Sequence, residues 1–380
     1  MIINIYGSTG EIGKKTLKII KKFFPKIKVN LLCANSNLNV LKKQINIFKP
    51  KYVFLSNNNA SKKLKSTLRS NTKVLSFQEL CYYLSNSKSD FSILAISGYK
   101  SLYYLDYIIE NTRNLGLVNK EAIVSAGHIF QKKKYFKKTK IFPIDSEHFS
   151  LFESFKLSNN ENNFEKIVLT ASGGPFYNKN FKSLKKISFS EAIKHPKWKM
   201  GYKNSIDSAT LVNKCLEVVE AHYLFGVPFE KIDIIIHPQA LVHSIITKKN
   251  FVSNYNLFKN DMSIPIINFL LQSKFKLKKN NNNLYFKTNS QLDFYKVQDQ
   301  VFPIYNFFKK MNKKNPANLI KFNTGNELAV NMFKNNLIKY TDIIEIIKKV
   351  VSIELNSPLN NIKDIINYHE KIEKKSKFLF

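Results

Sequence analysis

Short apolar runs alternate along this chain with longer stretches in which apolar residues recur every three or four positions. Residues 2–6 form a short, mainly apolar strand, and after a glycine-rich turn Leu17, Ile20, Phe23 and Phe24 mark one face of a helix. Further strand-like runs at 29–34, 52–55, 91–96 and 115–118 alternate with helical stretches, which predicts a parallel, doubly wound α/β sheet. Runs at 167–170 and 232–236 predict strands of a second region. Beyond about residue 301 the period becomes helical, at 326–337, at 342–351 with Asp342 and Glu345 spaced as a capping box, and from 361 to about 375.

One helix stands apart. From Ser208 onward, Ala209, Leu211, Val212, Cys215, Leu216, Val218, Val219 and Tyr223 leave little room for a solvated face, so the pattern predicts a helix buried nearly all round, capped by Asp207 or Ser208. Asn213 and Glu217 are spaced i, i+4, and Lys214 precedes Glu217 by three, so all three share one side. Buried polar groups of this kind must be paired with each other or face a ligand, and the helix alone leaves both readings open. Upstream, Trp198 is the only tryptophan and sits among His195, Pro196, Lys197, Lys199, Met200 and Gly201, a composition suited to a mobile aromatic flap.

The 380 residues suffice for two or three domains with real cores. A formal charge of +34 would suggest nucleic acid, but Arg69 and Arg113 are the only arginines among 61 basic residues, and the lysines are spread through every segment. Arginine is the preferred fork for base edges and phosphate, so this is compositional drift rather than a basic binding face, and no nucleic-acid partner is expected. Cys33, Cys81 and Cys215 fit no metal or disulfide spacing, which points to a reducing compartment. No apolar run reaches the ~18 residues of a membrane span, and the first residues enter a strand without a secretory leader. A cytoplasmic protein without membrane contact is expected.

Several stretches carry candidate chemistry. Gly7-Ser8-Thr9-Gly10-Glu11-Ile12-Gly13 lies between strand and helix, where glycines allow close approach and free N–H groups attract a pyrophosphate; a plain turn is the alternative. Asn35-Ser36-Asn37 ends the second strand without the acid that an NAD ribose site would use, which favours NADP. Asn119-Lys120-Glu121 follows the strand at 115–118, where open α/β sheets bind ligands, unless it is a solvated loop. Asp145-Ser146-Glu147 could offer oxygens to a hard cation such as Mg²⁺ or Mn²⁺, or simply begin a helix with acidic residues; Glu217 is the candidate third carboxylate. Ala171-Ser172-Gly173-Gly174-Pro175 suits a phosphate or an ordinary Gly-Pro turn. His237 reads as structural. A thiol-dependent dehydrogenase would need a reactive cysteine, and Cys215 faces the apolar side of its helix.

Taken in order, GSTGEIG, LVNKEAIVSAG, FPIDSEHFSLFE, LTASGGPF, HPKWKMG, SIDSATLVNKCLE, IIHPQALVHS and FNTGNELAV resemble the 1-deoxy-D-xylulose 5-phosphate reductoisomerase family. The resemblance implies a Rossmann-like NADPH-binding domain over 1–143, a central α+β catalytic domain over 144–275, a linker over 276–300 that includes Asn280 to Asn283, a C-terminal helical bundle over 301–380, and a homodimer. It implies Mn²⁺ or Mg²⁺ (or Co²⁺) on Asp145, Glu147 and Glu217, and a phosphorylated sugar held by Lys120, Ser146, Glu147, Ser172, His195, Ser208, Asn213, Lys214 and Glu217. Of these, Ser172, Ser208, Asn213 and Lys214 fall at the phosphate cradle. Trp198 and Met200 fall at the flap, and Lys120, Trp198 and the three carboxylates at the catalytic positions. Gly7, Thr9, Gly10, Glu11, Ile12, Asn35, Ser36, Asn37, Asn119, Glu121 and Gly201 fall at the dinucleotide contacts. The implied reaction rearranges and then reduces 1-deoxy-D-xylulose 5-phosphate for isoprenoid precursor synthesis. Glu11 departs from the serine usual in the family, Asn35 from a glycine, and residues 261–265 lack the basic residue often found after Met262.

Overall fold

The structure, a computed structural model, describes residues 1–132, 139–157, 164–194, 201–272 and 291–379, which fall into two compact units. The first holds the chain as far as Asn119, the stretch ending at Asp145 and the stretch starting at Asp261; the second holds the remainder.

Seven strands build the first unit: β1 (Ile2–Tyr6), β2 (Lys28–Ala34), β3 (Tyr52–Leu55), β4 (Lys73–Leu75), β5 (Ser89–Leu94), β6 (Thr112–Leu117) and β7 (Lys140–Pro143). All pair in parallel, in the order β4-β3-β2-β1-β5-β6-β7. Such strands are covered on both faces, hence their largely apolar runs, with Asn4 and Asn30 buried among them; Ile3, Ile5, Leu31, Leu32, Val53, Phe91 and Ile93 are fully enclosed. This is the doubly wound Rossmann-like sheet. Because β1 lies between β2 and β5, the strand order reverses beside it, and the turn after β1 opens onto the crevice such a switch point creates. β5 and β6 begin earlier than the apolar runs suggest, since Ser89 and Ser92 are buried and both bond the Thr112 hydroxyl, at 3.0 and 2.8 Å. Satisfied hydroxyls make strand residues that hydrophobicity overlooks. The helix Ser263–Leu270 also belongs to this unit, its Phe269 ring meeting Phe91 at 5.3 Å and Phe142 at 5.6 Å.

The second unit is α+β. Its strands β8 (Phe164–Ala171), β9 (Ile232–Ile236), β10 (Val242–Lys248), β11 (Ser253–Leu257) and β12 (Tyr295–Lys296) form a mixed sheet ordered β11-β10-β8-β9-β12, with only β8 and β9 parallel. Against the expected continuous helix from Ser208, Leu211 takes a left-handed conformation (φ +70°) and separates a helix Tyr202–Thr210 from a helix Val212–Phe225. Asp207 and Ser208 therefore close one helix instead of capping the next. The apolar pattern runs straight across the break because both helices are buried there, so it carried no signal of it.

Among the C-terminal helices, Pro316–Lys334 starts well before Asn326, because Asn315 accepts from Ala317 N at 3.0 Å and Pro316 suits the first helical position. Asp342 and Glu345 do not form the expected capping box: the Asp342 carboxylate accepts from Lys339 N at 2.9 Å across a 3-10 turn, and Glu345 pairs with Lys348 at 2.9 Å. The helix Ile362–Ser376 starts as expected, with Asn361 accepting from Asp364 N at 2.9 Å. Residues 280–283 lie outside the described residues. All three cysteines are free thiols, and among the described residues no helix is long and apolar enough to cross a membrane.

Candidate active site

In the first unit the glycine turn is shaped by contacts that forbid a side chain. Gly7 has φ +88°, and a Cβ there would stand 2.4 Å from Ala95 O; a Cβ on Gly13 would stand 2.4 Å from Gly7 O. The helix Glu11–Phe23 starts at Gly10 with no side chain capping it, which leaves its first N–H groups available to an anion. The Glu11 side chain is 70 % exposed and turns to Lys14, 3.4 Å away, while Lys15 pairs with Asp261 at 2.8 Å. At the end of β2 the Asn35 side chain accepts from the Ser56 hydroxyl at 2.9 Å and Asn37 caps the helix Leu38–Phe48, accepting from Val40 N at 3.2 Å. Ser36 lies exposed between them. Asn119 donates to the Ile96 and Gly98 carbonyls, tying the ends of β5 and β6 together.

The second unit contributes a dense charge cluster. Glu217, on the helix Val212–Phe225, is fully enclosed. Its Oε1 accepts from Lys120 Nζ at 2.5 Å and from Asn213, and its Oε2 lies 2.6 Å from Lys214 Nζ. Lys214 also reaches Glu147 Oε1 at 3.3 Å. Glu147 sits in the first turn of the helix Ser146–Leu157, where its Oε2 accepts from the Ser146 hydroxyl at 2.7 Å. So the helix pattern predicted correctly that Asn213, Lys214 and Glu217 share a side, and the ion pair between Lys214 and Glu217 is real. Two ammoniums and two carboxylates balance within this unit. Asp145, buried at the end of the first unit, is bonded directly to Ser146. Carboxylates this close to one another repel unless cations lie between them, and oxygen-rich, acidic sets suit hard divalent ions.

Beside the cluster, Ser172, Gly173 and Gly174 follow β8, with Gly173 and Gly174 at φ +78° and +63°. A Cβ on Gly174 would lie 2.8 Å from Ala209 Cα, so glycine is what lets this loop close on the Ser208–Ala209 turn. Gly174 N donates to the Ser172 hydroxyl at 3.3 Å. A serine loop and a helix end brought this near form a cradle suited to phosphate. His195, Trp198 and Met200 lie outside the described residues; Gly201 is at the start of the helix Tyr202–Thr210. Glu121 is buried and pairs with Lys203 at 3.1 Å.

Sequence reasoning gave no role to two histidines of this cluster. His243 Nδ1 stands 3.4 Å from Glu147 Oε1, its Nε2 donates to Phe258 O at 3.2 Å, and its ring stacks on Phe258. His148, fully buried, holds the Glu217 carbonyl through Nε2 at 2.9 Å and Glu220 through Nδ1 at 3.2 Å. Glu220 was detectable as a second acid one turn beyond Glu217 on a helix with no solvated face. His237, read as structural, is buried, bonds Asp293 O at 2.8 Å and stacks on Phe294. Burial pushes the Cys215 thiol up, so no reactive thiolate stands here.

Comparison with known proteins bears on this geometry. Family profiles described as 1-deoxy-D-xylulose 5-phosphate reductoisomerase, 1-deoxy-D-xylulose 5-phosphate reductoisomerase C-terminal domain and DXP reductoisomerase C-terminal domain match residues 3–127, 141–225 and 257–375. The 1-deoxy-D-xylulose 5-phosphate reductoisomerase of Pelagibacter ubique is 37 % identical over 354 residues, covering 92 % of this chain and 90 % of that one. A reductoisomerase from Zymomonas mobilis solved in complex with NADPH superposes with a TM-score of 0.87 at 28 % identity, covering 100 % of this chain and 98 % of that one. A reductoisomerase solved with NADPH, fosmidomycin and magnesium does so with a TM-score of 0.89 at 28 % identity and the same coverage.

Proposed function

The chain belongs to the 1-deoxy-D-xylulose 5-phosphate reductoisomerase family, and from that premise we propose how its residues divide the work. It is an NADPH- and divalent-metal-dependent enzyme that isomerises and reduces 1-deoxy-D-xylulose 5-phosphate to 2-C-methyl-D-erythritol 4-phosphate. One observation carries the residue assignment: Glu147 and Glu217 converge on Lys214, one turn past the Ser208 helix end that Gly174 draws to Ser172. Acid for a metal and hydroxyls for a phosphate thus adjoin in one unit.

In this reading Asp145, Glu147 and Glu217 hold the metal ion, Mg²⁺ or Mn²⁺, and Ser172, Ser208, Asn213 and Lys214 hold the phosphate, with His195 completing the substrate contacts. The bound metal ion supplies Lewis acidity toward the substrate's keto and hydroxyl oxygens, and NADPH supplies the hydride. Lys120 and Asn213 orient Glu217; Ser146 orients Glu147 and meets the substrate. Gly7, Thr9, Gly10, Glu11, Ile12, Asn35, Ser36, Asn37 and Asn119, with Glu121 and Gly201, take the dinucleotide, its pyrophosphate lying on the uncapped helix start. Trp198 closes over the bound pair and excludes water.

The same reading assigns cofactor binding to residues 1–143, catalysis to 144–275, a linker to 276–300 and a helical domain to 301–380. It makes the enzyme a cytoplasmic homodimer, supported by three free thiols and by the exposed Phe251, Val252, Tyr255 and Leu257 on and beside the edge strand β11. The test is NADPH oxidation on adding 1-deoxy-D-xylulose 5-phosphate with Mg²⁺ or Mn²⁺. Oxidation that EDTA abolishes supports the assignment, and oxidation that persists in EDTA removes the metal from it.

A further inference from the structure

Away from the Glu217 cluster, the second unit buries another set of charges. Lys203 Nζ lies 2.7 Å from Asp207 Oδ2 and 3.1 Å from Glu121 Oε1, with side chains 18 %, 1 % and 9 % exposed respectively. The other Asp207 oxygen accepts from Asn326 Nδ2 at 2.8 Å. Three separate helices, Lys120–Phe130, Tyr202–Thr210 and Pro316–Lys334, thereby meet at one ammonium. Burial opposes the charge on Lys203, yet Asp207, Glu121 and Glu327 outweigh it and push its affinity for a proton up. Burial likewise opposes the charge on Glu121, and Lys203 overrides it, holding that carboxyl below its usual range. Lys203 and Glu121 are thus both held in their charged forms, in a setting where a charge without its partner is unstable.

What the bridge joins is informative. Glu121 follows Lys120, whose ammonium lies on Glu217; Asp207 precedes Ser208, the helix end drawn to the Ser172 loop. We propose that Lys203 is a positioning residue for the reaction, its two ion pairs locking the start of the Lys120 helix to the segment that carries Ser208. Metal-side and phosphate-side groups then keep one spacing. The inference rests on the residue roles proposed above. Lys203 itself touches no reacting atom, and its effect passes through Lys120 and Ser208.

Misplacing a reacting group by about 1 Å can lower a rate by roughly 100-fold. Asp207→Asn keeps the size of the side chain and an oxygen for Asn326 while removing the charge that Lys203 holds. In the full-length enzyme with saturating NADPH and Mg²⁺, this variant is expected to fold cooperatively and lose ~10- to 100-fold in kcat/KM, with both parameters moving. Lys203→Arg, which keeps a cation in place, is expected to recover most of what Lys203→Met loses. In a double-mutant cycle, Asp207→Asn and Ser208→Ala are expected to be less than additive in kcat/KM, because both act on the same placement. A purely structural network would instead lower thermal stability and give additive kinetics. The proposal is overturned if folded Asp207→Asn keeps wild-type kcat/KM, if the cycle is additive, or if Asp207→Asn cannot fold. A wild-type chain that does not oxidise NADPH with this substrate would overturn the functional reading itself, and this inference with it.

Discussion

Lys214 and Glu217 form a 2.6 Å ion pair whose members are only 7 % and 0 % exposed, and the same ammonium reaches Glu147 at 3.3 Å. One lysine therefore occupies the oxygens proposed as metal ligands. An entering cation must compete with it, and an arriving substrate phosphate is the natural alternative partner for the displaced ammonium. Lys214→Gln is accordingly expected to tighten Mn²⁺ binding in the absence of substrate by about tenfold, near 1.4 kcal/mol, while weakening substrate binding. Mn²⁺ titration of the two proteins decides it; weaker metal binding by the variant would show that Lys214 supports the metal instead of competing.

Among the three proposed metal ligands, Glu217 is the poorest to mutate for a clean answer. Neutralising it removes the carboxylate with which both Lys120 and Lys214 pair, and breaking a buried pair costs about 3–5 kcal/mol of stability. Asp145→Asn is the better probe. Loss of Lewis-acid assistance worth several kcal/mol should lower kcat by ~10³-fold or more, with NADPH affinity unchanged. Near-normal turnover across a metal titration would exclude Asp145 as a ligand.

Much of this was legible in the amino-acid order, for identifiable physical reasons. Parallel strands buried on both faces announce themselves as apolar runs, so β1 and β3 begin and end where their runs do. The spacing of Asn213, Lys214 and Glu217 alone fixed which side of a helix they share. What stayed hidden depends on contacts distant in sequence. The break at Leu211 follows from a backbone conformation that apolar periodicity does not encode. With Asp207 read as a cap, its i, i+4 pairing with Lys203 stayed unseen, and Glu121 and Asn326 reach the pair only through tertiary packing.

Gly174→Ala should separate strain from site geometry. Its left-handed backbone and a new Cβ 2.8 Å from Ala209 Cα both penalise the alanine, whereas Gly226 shares the left-handed backbone (φ +65°) with open space around it. Both variants should lose about 1–3 kcal/mol of stability or less. Only Gly174→Ala should raise the substrate KM, by ~10-fold or more, because it pushes the Ser172 loop off the Ser208 turn. Equal kinetics in the two variants would remove that loop from the phosphate site.

Glu11 places a carboxylate at the helix start proposed for the pyrophosphate, but its side chain points to solvent and Lys14. Two anions cannot share a helix N-terminus cheaply, yet exposure and salt screening keep the conflict small. Glu11→Ser should tighten NADPH by about tenfold or less, most visibly at low ionic strength, with the chemical step unchanged. Calorimetric titration at two salt concentrations checks it. Equal affinities at low salt would mean that Glu11 never confronts the cofactor, and weaker binding by the variant would mean that Glu11 helps to hold it.

Glu327 follows Asn326 on the helix Pro316–Lys334, and it links the Lys203 network to pH. Burial pushes its carboxyl up to about 7; Lys203 and the amide of Asn323, 3.3 Å from Oε1, pull it down, while Glu121 and Glu373 push it up further. Between the ordinary value of 4.5 and about 7, the unfolded chain has released this proton and the folded chain still holds it. The folded state therefore binds more protons in that window, so this group makes stability fall as pH rises through it. Above pH 7 the full penalty, on the order of 3 kcal/mol, is present; below about pH 4.5 it is gone. Glu327→Gln removes the titration while keeping the shape and a donor and acceptor for its neighbours. Its stability gain over wild type, measured by urea unfolding, should be largest near pH 8 and shrink to nothing near pH 4. A gain independent of pH would show that Glu327 is not held in its protonated form by the fold, and a loss at pH 8 would show that its negative charge is needed beside Lys203.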